Sequence, residues 1–244
     1  MIAIKATNLT KVYKNKTAVN NLNLSIQQGE LFSLLGVNGA GKTTTIKMLT
    51  CLIKPTKGDA TILGNIIQSN PQEVKKFISV SPQETAVARN LSVQENLELM
   101  ANIFGFDKKT VDEKVEEMLE TFRLKEVTKD KAVTLSGGMQ RRLSIAMALI
   151  SNPQILFLDE PTLGLDVIAR RELWTAIEKL KGKVTVILTT HYMEEAEALS
   201  DRVGIMADGN LKAIGTVSEL LTKTNSNTLE EAFVTIAKKE EVNL

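Results

Sequence analysis

Short apolar runs alternate along this chain with stretches of helical period. Leu22, Leu24 and Ile26 alternate with Asn23 and Ser25, the two-residue period of a strand with one wet face. Residues before about Gln28 therefore predict a small antiparallel layer. Glu30 to Gly36 reads as a buried strand that runs into a glycine-rich turn. Ile155 to Leu158 and Val184 to Leu188 are continuous apolar runs bounded by polar or turn residues, the pattern of parallel strands buried on both faces. From Ser92 to about Asn152 the period is helical throughout. Ser92 with Glu95, and Thr110 with Glu113, have capping-box spacing. Val93, Leu97, Met100 and Phe104 line one helical face, and Val111, Val115, Met118 and Phe122 line a second. Asp208-Gly209 between two short strands predicts a hairpin. Thr228 and Glu231 open a last helix with Leu229, Phe233 and Ile236 on one face. The sum is an α/β fold with a mostly parallel sheet, an N-terminal antiparallel β layer and an inserted helical subdomain. One domain is expected over 1–244: a core of 1–84 and 153–222, a helical subdomain of 85–152 and a helical tail of 223–244.

Composition narrows the function classes. With 244 residues the chain is long enough to bury a core without disulfides. Thirty Lys plus Arg against 29 Asp plus Glu leave a net charge of +1, so no basic surface argues for nucleic acid as a partner. The single cysteine, Cys51, has no disulfide partner in the chain, and the single histidine, His191, cannot found a histidine-rich metal site. The longest apolar stretch, Ile145 to Ile150, is far short of the ~20 residues that span a bilayer. The N-terminus lacks the apolar core of a signal peptide, and an intracellular chain is expected.

Three segments carry chemistry of their own. GVNGAGKT, from Gly36 to Thr43, follows a buried strand and precedes a helical pattern of Ile46, Leu49 and Ile53. Glycines at 36, 39 and 41 let the backbone curl through positive φ, so that the N–H groups of Val37, Asn38, Gly39, Ala40, Gly41, Thr43 and Thr44 can converge on phosphate oxygens. The following helix turns its positive end to the same anion. Lys42 supplies a point charge for the β- and γ-phosphates and Thr43 a hydroxyl for Mg²⁺. The loop therefore predicts a bound nucleoside triphosphate. In ILFLDEPT, four apolar residues deliver Asp159 and Glu160 to the C-terminal end of a strand, where ligands bind in open α/β sheets. Asp159 is placed to hold Mg²⁺ and Glu160 to polarise a water for attack on the γ-phosphate. LSGGMQRR, from Leu135, then places Ser136, Gly137 and Gly138 at a second helix N-terminus suited to an anion. One nucleotide in one chain needs only one such device.

These segments, in this order, resemble the ATP-binding subunits of ABC transporters, and the resemblance runs over essentially the whole chain. It implies a P-loop NTPase, RecA-like core that binds ATP and Mg²⁺. It implies that Tyr13 stacks on adenine, that Gln83 in SPQE meets Mg²⁺ and senses the γ-phosphate, that Leu165-Asp166 touches a partner subunit, and that His191 in TTHYMEEAE contacts the γ-phosphate. Lys42, Gln83, Glu160 and His191 are then the catalytic set. Tyr13 and Gln83 also read as a packing aromatic and a surface residue, Cys51 as a core residue on the helix after the phosphate loop, and Arg141 and Arg142 as a solvated face. The chain departs from the family at Met139, where Gln is frequent, and at Val37, where Pro is frequent. The resemblance further implies a homodimer, or a pair with a closely related ATPase, and polytopic permease subunits at the cytoplasmic face of the membrane. NTLEEAFVTI, soon after the core, resembles the tail of export-type relatives. A soluble ABC ATPase of a non-transport process such as iron–sulfur assembly is the alternative. A GTPase or nucleotide kinase leaves LSGG unexplained, and the N-K-x-D guanine reader is absent from the sequence.

Overall fold

A computed structural model describes residues 1–238; the last residues of the expected tail lie outside the described part. Two sheets organise it. The smaller is an antiparallel layer in the order β2-β1-β4-β5, built from β1 (Ile2–Tyr13), β2 (Lys16–Gln27), β4 (Lys57–Ile62) and β5 (Asn65–Ile66). The expected hairpin before Gln28 is present, and the segment after the phosphate-loop helix adds two strands that the N-terminal pattern did not announce. The larger sheet runs β10-β9-β3-β8-β7-β6. Its strands are β3 (Leu31–Leu35), β6 (Ile78–Ser81), β7 (Ile155–Asp159), β8 (Thr185–Thr190), β9 (Arg202–Ala207) and β10 (Asn210–Gly215). All its neighbours are parallel except the β9–β10 hairpin. That hairpin turns at Asp208 and Gly209, both at positive φ as a tight two-residue turn requires.

The alternation of side chains in the central strands decides what packs on each face. Leu156 and Leu158 of β7, with Val186 and Leu188 of β8, face a core shared with the helical region; Ile155, Phe157 and Ile187 face the core shared with the antiparallel layer. On the first side lie α3 (Val93–Ile103), α4 (Lys108–Thr121), α5 (Gly137–Leu149) and α6 (Val167–Glu178). On the second lie α1 (Lys42–Leu49) and α2 (Pro71–Phe77), which contribute Ile46, Met48, Leu49 and Val74. α7 (Met193–Leu199), α8 (Val217–Thr224) and α9 (Leu229–Lys238) cover the β9–β10 edge through Ala196, Leu220, Leu229, Phe233 and Ile236. α8 crosses the expected boundary at 222, because its capping box at Thr216 and Glu219 starts the helix earlier.

Local differences have local causes. Ser92 and Glu95 form the expected box. The second helix starts earlier than Thr110, because the Asp107 carboxylate takes the Thr110 N–H and caps it first. Phe104 lies one residue past α3 and stays half exposed, while Ala101 completes the buried face. α1 stops at Leu49, so Ile53 lies beyond it. Cys51 is likewise off the helix, at φ 57°, and only partly buried. Arg141 and Arg142 are not on a solvated face: they are 3% and 8% exposed.

Candidate nucleotide site

β3 ends at Leu35 and the chain turns through the phosphate loop into α1. Gly39 and Gly41 hold φ of 85° and 105°, which only glycine adopts cheaply. Gly36 does not have positive φ; a Cβ there would strike the Met206 carbonyl of β9, so close approach is what demands glycine. The loop, with Asn38, Gly39, Gly41, Lys42, Thr43 and Thr44, lines a cavity of about 510 Å³. Tyr13, Gln83, Glu160 and His191 line the same cavity from β1, the loop after β6, the end of β7 and the end of β8. Tyr13 is 45% exposed, with the Lys11 ammonium 5.2 Å from its ring centre. An aromatic ring in that position is free to stack.

The charged groups converge at the carboxyl end of the parallel sheet. Glu160 stands at φ 49°, a strained conformation for this residue, held by its N–H donating to the carbonyl and hydroxyl of Thr189 (3.1 and 3.0 Å). Its carboxylate is gripped on both sides: Oε1 lies 3.1 Å from Lys42 Nζ, and Oε2 lies 2.7 Å from His191 Nδ1. Lys42 also donates to the Gly36 carbonyl at 2.7 Å. Thr43 and Thr189 both donate to Asp159 Oδ1, at 3.1 and 2.6 Å. Asp159 therefore sits behind Thr43 rather than on the cavity wall. Thr43, Asp159 and the Gln83 amide offer only oxygen to a cation, the donor type that Mg²⁺ prefers, and no cluster of three or more His, Cys, Asp or Glu side chains stands among the described residues to trap a different metal.

Ser136, Gly137 and Gly138 do not line this cavity. Ser136 caps α5 through the Met139 N–H, and the α5 N-terminus contributes no residue to the cavity around Lys42. A Cβ on Gly138 would lie 2.8 Å from the Ala169 Cβ of α6, so this glycine serves the packing of two helices. Asp166 caps α6, taking the N–H groups of Ile168 and Ala169, and leaves Val167 and Ile168 exposed beside the Leu165-Asp166 loop.

Over residues 19–163, more than half of the chain, the sequence matches the family described as ABC transporter. The chain belongs to the ABC transporter family. Its relatives include the linearmycin resistance ATP-binding protein LnrL of Bacillus subtilis, 39% identical over 95% of this chain and 75% of that protein. The daunorubicin/doxorubicin resistance ATP-binding protein DrrA of Streptomyces peucetius is 40% identical over 93% of this chain and 69% of its own length. ABC transporter A family member 2 of Arabidopsis thaliana is 43% identical, but the ABC chain described here spans only 24% of it. A solved ATP-binding subunit of an ABC transporter superposes with a TM-score of 0.86 at 27% identity, over 97% of this chain and all of that one. A dimeric ATP-binding cassette in a post-hydrolysis state, bound to ADP and Pi, gives 0.78 at 31% identity over 87% of this chain and 98% of that one. The fold is thus the P-loop NTPase fold of ABC cassettes.

Three residues at the site escaped the sequence reading. Thr189 holds both Asp159 and the Glu160 amide. Its signal is present as polar TT closing the otherwise apolar run of β8. Arg141 reaches from α5 into the core and donates to the carbonyls of Pro82, Gln83 (3.3 Å), Asp159 (2.8 Å) and Pro161 (2.9 Å). Burial pulls its guanidinium down to about 10, against the pull of Asp159 and Glu195 in the opposite direction. No local pattern marks Arg141, because its partners are backbone atoms distant in sequence. Glu195 of α7 is fully buried.

Proposed function

We propose that this chain binds ATP with Mg²⁺, pairs with a second cassette on the nucleotide, and hydrolyses it to drive export through a separate membrane permease. One observation carries the reading: Lys42, Glu160 and His191 meet within hydrogen-bond distance at the mouth of the phosphate loop, in a cavity that Tyr13 also lines. Tyr13 stacks on the adenine, and the backbone N–H groups from Gly36 to Thr44 take the phosphates. A γ-phosphate draws Lys42 off Glu160 and frees that carboxylate. Glu160 then accepts a proton from a water whose oxygen attacks the γ-phosphorus; the bond to the β–γ bridging oxygen breaks, and ADP and phosphate result. His191, held by Glu160, orients that carboxylate and contacts the γ-phosphate. Mg²⁺, when bound, supplies positive charge to the phosphate oxygens, with the Thr43 hydroxyl and the Gln83 side-chain oxygen to hold it and Asp159 to orient Thr43.

The Ser136–Gly138 turn has no phosphate of its own chain to serve, which supports its closing over the nucleotide of a second copy or a closely related ATPase. No helix of the described residues is long and apolar enough to cross a membrane. Membership of the ABC transporter family supports a polytopic permease as the partner that the cassette drives from the cytoplasmic face of the membrane. The drug resistance for which LnrL and DrrA are named favours transport, and within it export, over a non-transport ATPase. The test is E160Q. Turnover is expected to fall about 100-fold or more, with ATP retained and an ATP-dependent dimer visible in light scattering. Turnover at the wild-type rate, or single molecules at every concentration with ATP bound, overturns the reading.

A further inference from the structure

Beneath the Glu160–His191 pair lies a carboxyl group that this reaction does not use. Glu195, on the first turns of α7, is 0% exposed and makes no ion pair within 4 Å among the described residues. Its Oε1 accepts from Trp174 Nε1 of α6 at 3.2 Å. Its Oε2 is buried without a hydrogen bond of normal geometry, and so is the hydroxyl of Thr162. The side chains of Thr162 and Thr190 both lie close enough to act on the Glu195 carboxyl. Each neighbour belongs to a different segment of the chain. Thr162 is two residues past Glu160 and opens the Leu165-Asp166 loop. Trp174 is on α6, which that loop feeds. Thr190 directly precedes His191 and takes the Tyr192 N–H on its hydroxyl at 3.0 Å.

We infer that Glu195 is a positioning residue of the ATPase reaction: as a neutral carboxylic acid it ties the loop after Glu160, and the helix that follows, to the strand end that presents His191. The inference rests on the roles proposed above for Glu160 and His191. A neutral acid has an O–H to give to the Thr162 hydroxyl, which pairs two atoms that lie buried without a hydrogen bond of normal geometry. An ionised carboxylate would lie fully buried with only neutral donors, the Trp174 N–H and the two threonine hydroxyls, and no cation within 4 Å among the described residues. Burial pushes the Glu195 carboxyl above the ordinary carboxylate range, against the hydrogen bonds of Thr190, Thr162 and Trp174, and the nearby Glu160 adds the smallest push in the same direction as burial.

The two glutamates must therefore answer oppositely to glutamine. Kinetics and nucleotide affinity of the full chain, with a fluorescent ATP analogue as binding probe, separate the cases. E195A is expected to lose kcat on the order of tenfold or more through misplaced groups, with nucleotide affinity within about twofold of wild type. E195Q keeps the shape and offers an N–H where the acid offered its O–H, and is expected to restore kcat to within about twofold. Wild-type kcat in E195A overturns the inference; so does an E195Q variant as slow as E195A, since that result demands the negative charge. If E195A does not fold, W174F removes the N–H donor together with part of the ring that packs on the core. Its kcat is then expected to drop about threefold at unchanged affinity, and wild-type kcat in W174F overturns the inference. E160Q run beside these separates the two readings. Its failure to slow turnover overturns the catalytic assignment itself, whereas a dead E160Q with an indifferent E195A overturns only the role of Glu195.

Discussion

Glu160 is held in a left-handed backbone conformation by its N–H donating to two oxygens of a single threonine, and its carboxylate is pinned by a lysine and a histidine from two other elements. Backbone strain of this kind costs on the order of 1 kcal/mol or more and persists where the surroundings over-determine it. Arg141 is a second case of over-determination. Its guanidinium serves four carbonyl oxygens of the Gln83 loop and of the Asp159–Pro161 segment at once. Methionine in its place would fill most of the volume and leave those acceptors dry and unpaired. R141M is expected to lose about 3 kcal/mol or more of stability, read from the denaturant midpoint. R141K is expected to recover little, because one ammonium cannot reach four acceptors spread over a planar fork. At this scale the sequence marked the residues with reactive side chains: Lys42, Glu160 and His191 meet, and Asp159 lies behind Thr43. Thr189, Arg141 and Glu195 remained hidden, since a hydroxyl bonded to a backbone amide, or a cation bonded to carbonyls, follows no spacing rule.

At the scale of elements, the helices carry the clearest local instructions. Ser92 with Glu95, and Thr216 with Glu219, fix their helix starts through reciprocal side-chain and backbone bonds. Central strands are legible for a related reason: an apolar run leaves no face for water. β4 and β5 escaped, because Lys57–Ile62 has only two fully buried side chains, Ala60 and Ile62, and pairs with β1 far away in sequence. The contact of α5 with α6 turns on Gly138, whose missing Cβ lets Ala169 approach. G138A is expected to lower stability by about 1–3 kcal/mol through overpacking. The double variant with A169G is expected to return most of that loss in a thermal melt. A G138A chain as stable as wild type places this glycine in some service other than helix packing.

For the whole molecule, the parallel sheet gathers the ends of β3, β7 and β8 at one edge, and the ATP cavity forms there. The α5 N-terminus lies off that cavity, and the exposed Val167 and Ile168 flank the capped loop next to it. The proposed dimer uses this separation. S136R puts a long cation at the α5 N-terminus and is expected to abolish ATP-dependent dimers in sedimentation while nucleotide affinity stays within about twofold of wild type. Loss of ATP binding in S136R moves Ser136 into the site of its own chain. The sequence by itself determined the central strands, the capped helices and the turn suited to a triphosphate, because period, caps and glycine φ are local properties of the chain. Only the tertiary structure decided that Lys42 and His191 share one carboxylate, that Arg141 is buried, and that Glu195 lies buried near the site without an ion pair among the described residues. Those facts depend on which surfaces are shut away from water, and burial is settled by the packing of elements remote in sequence.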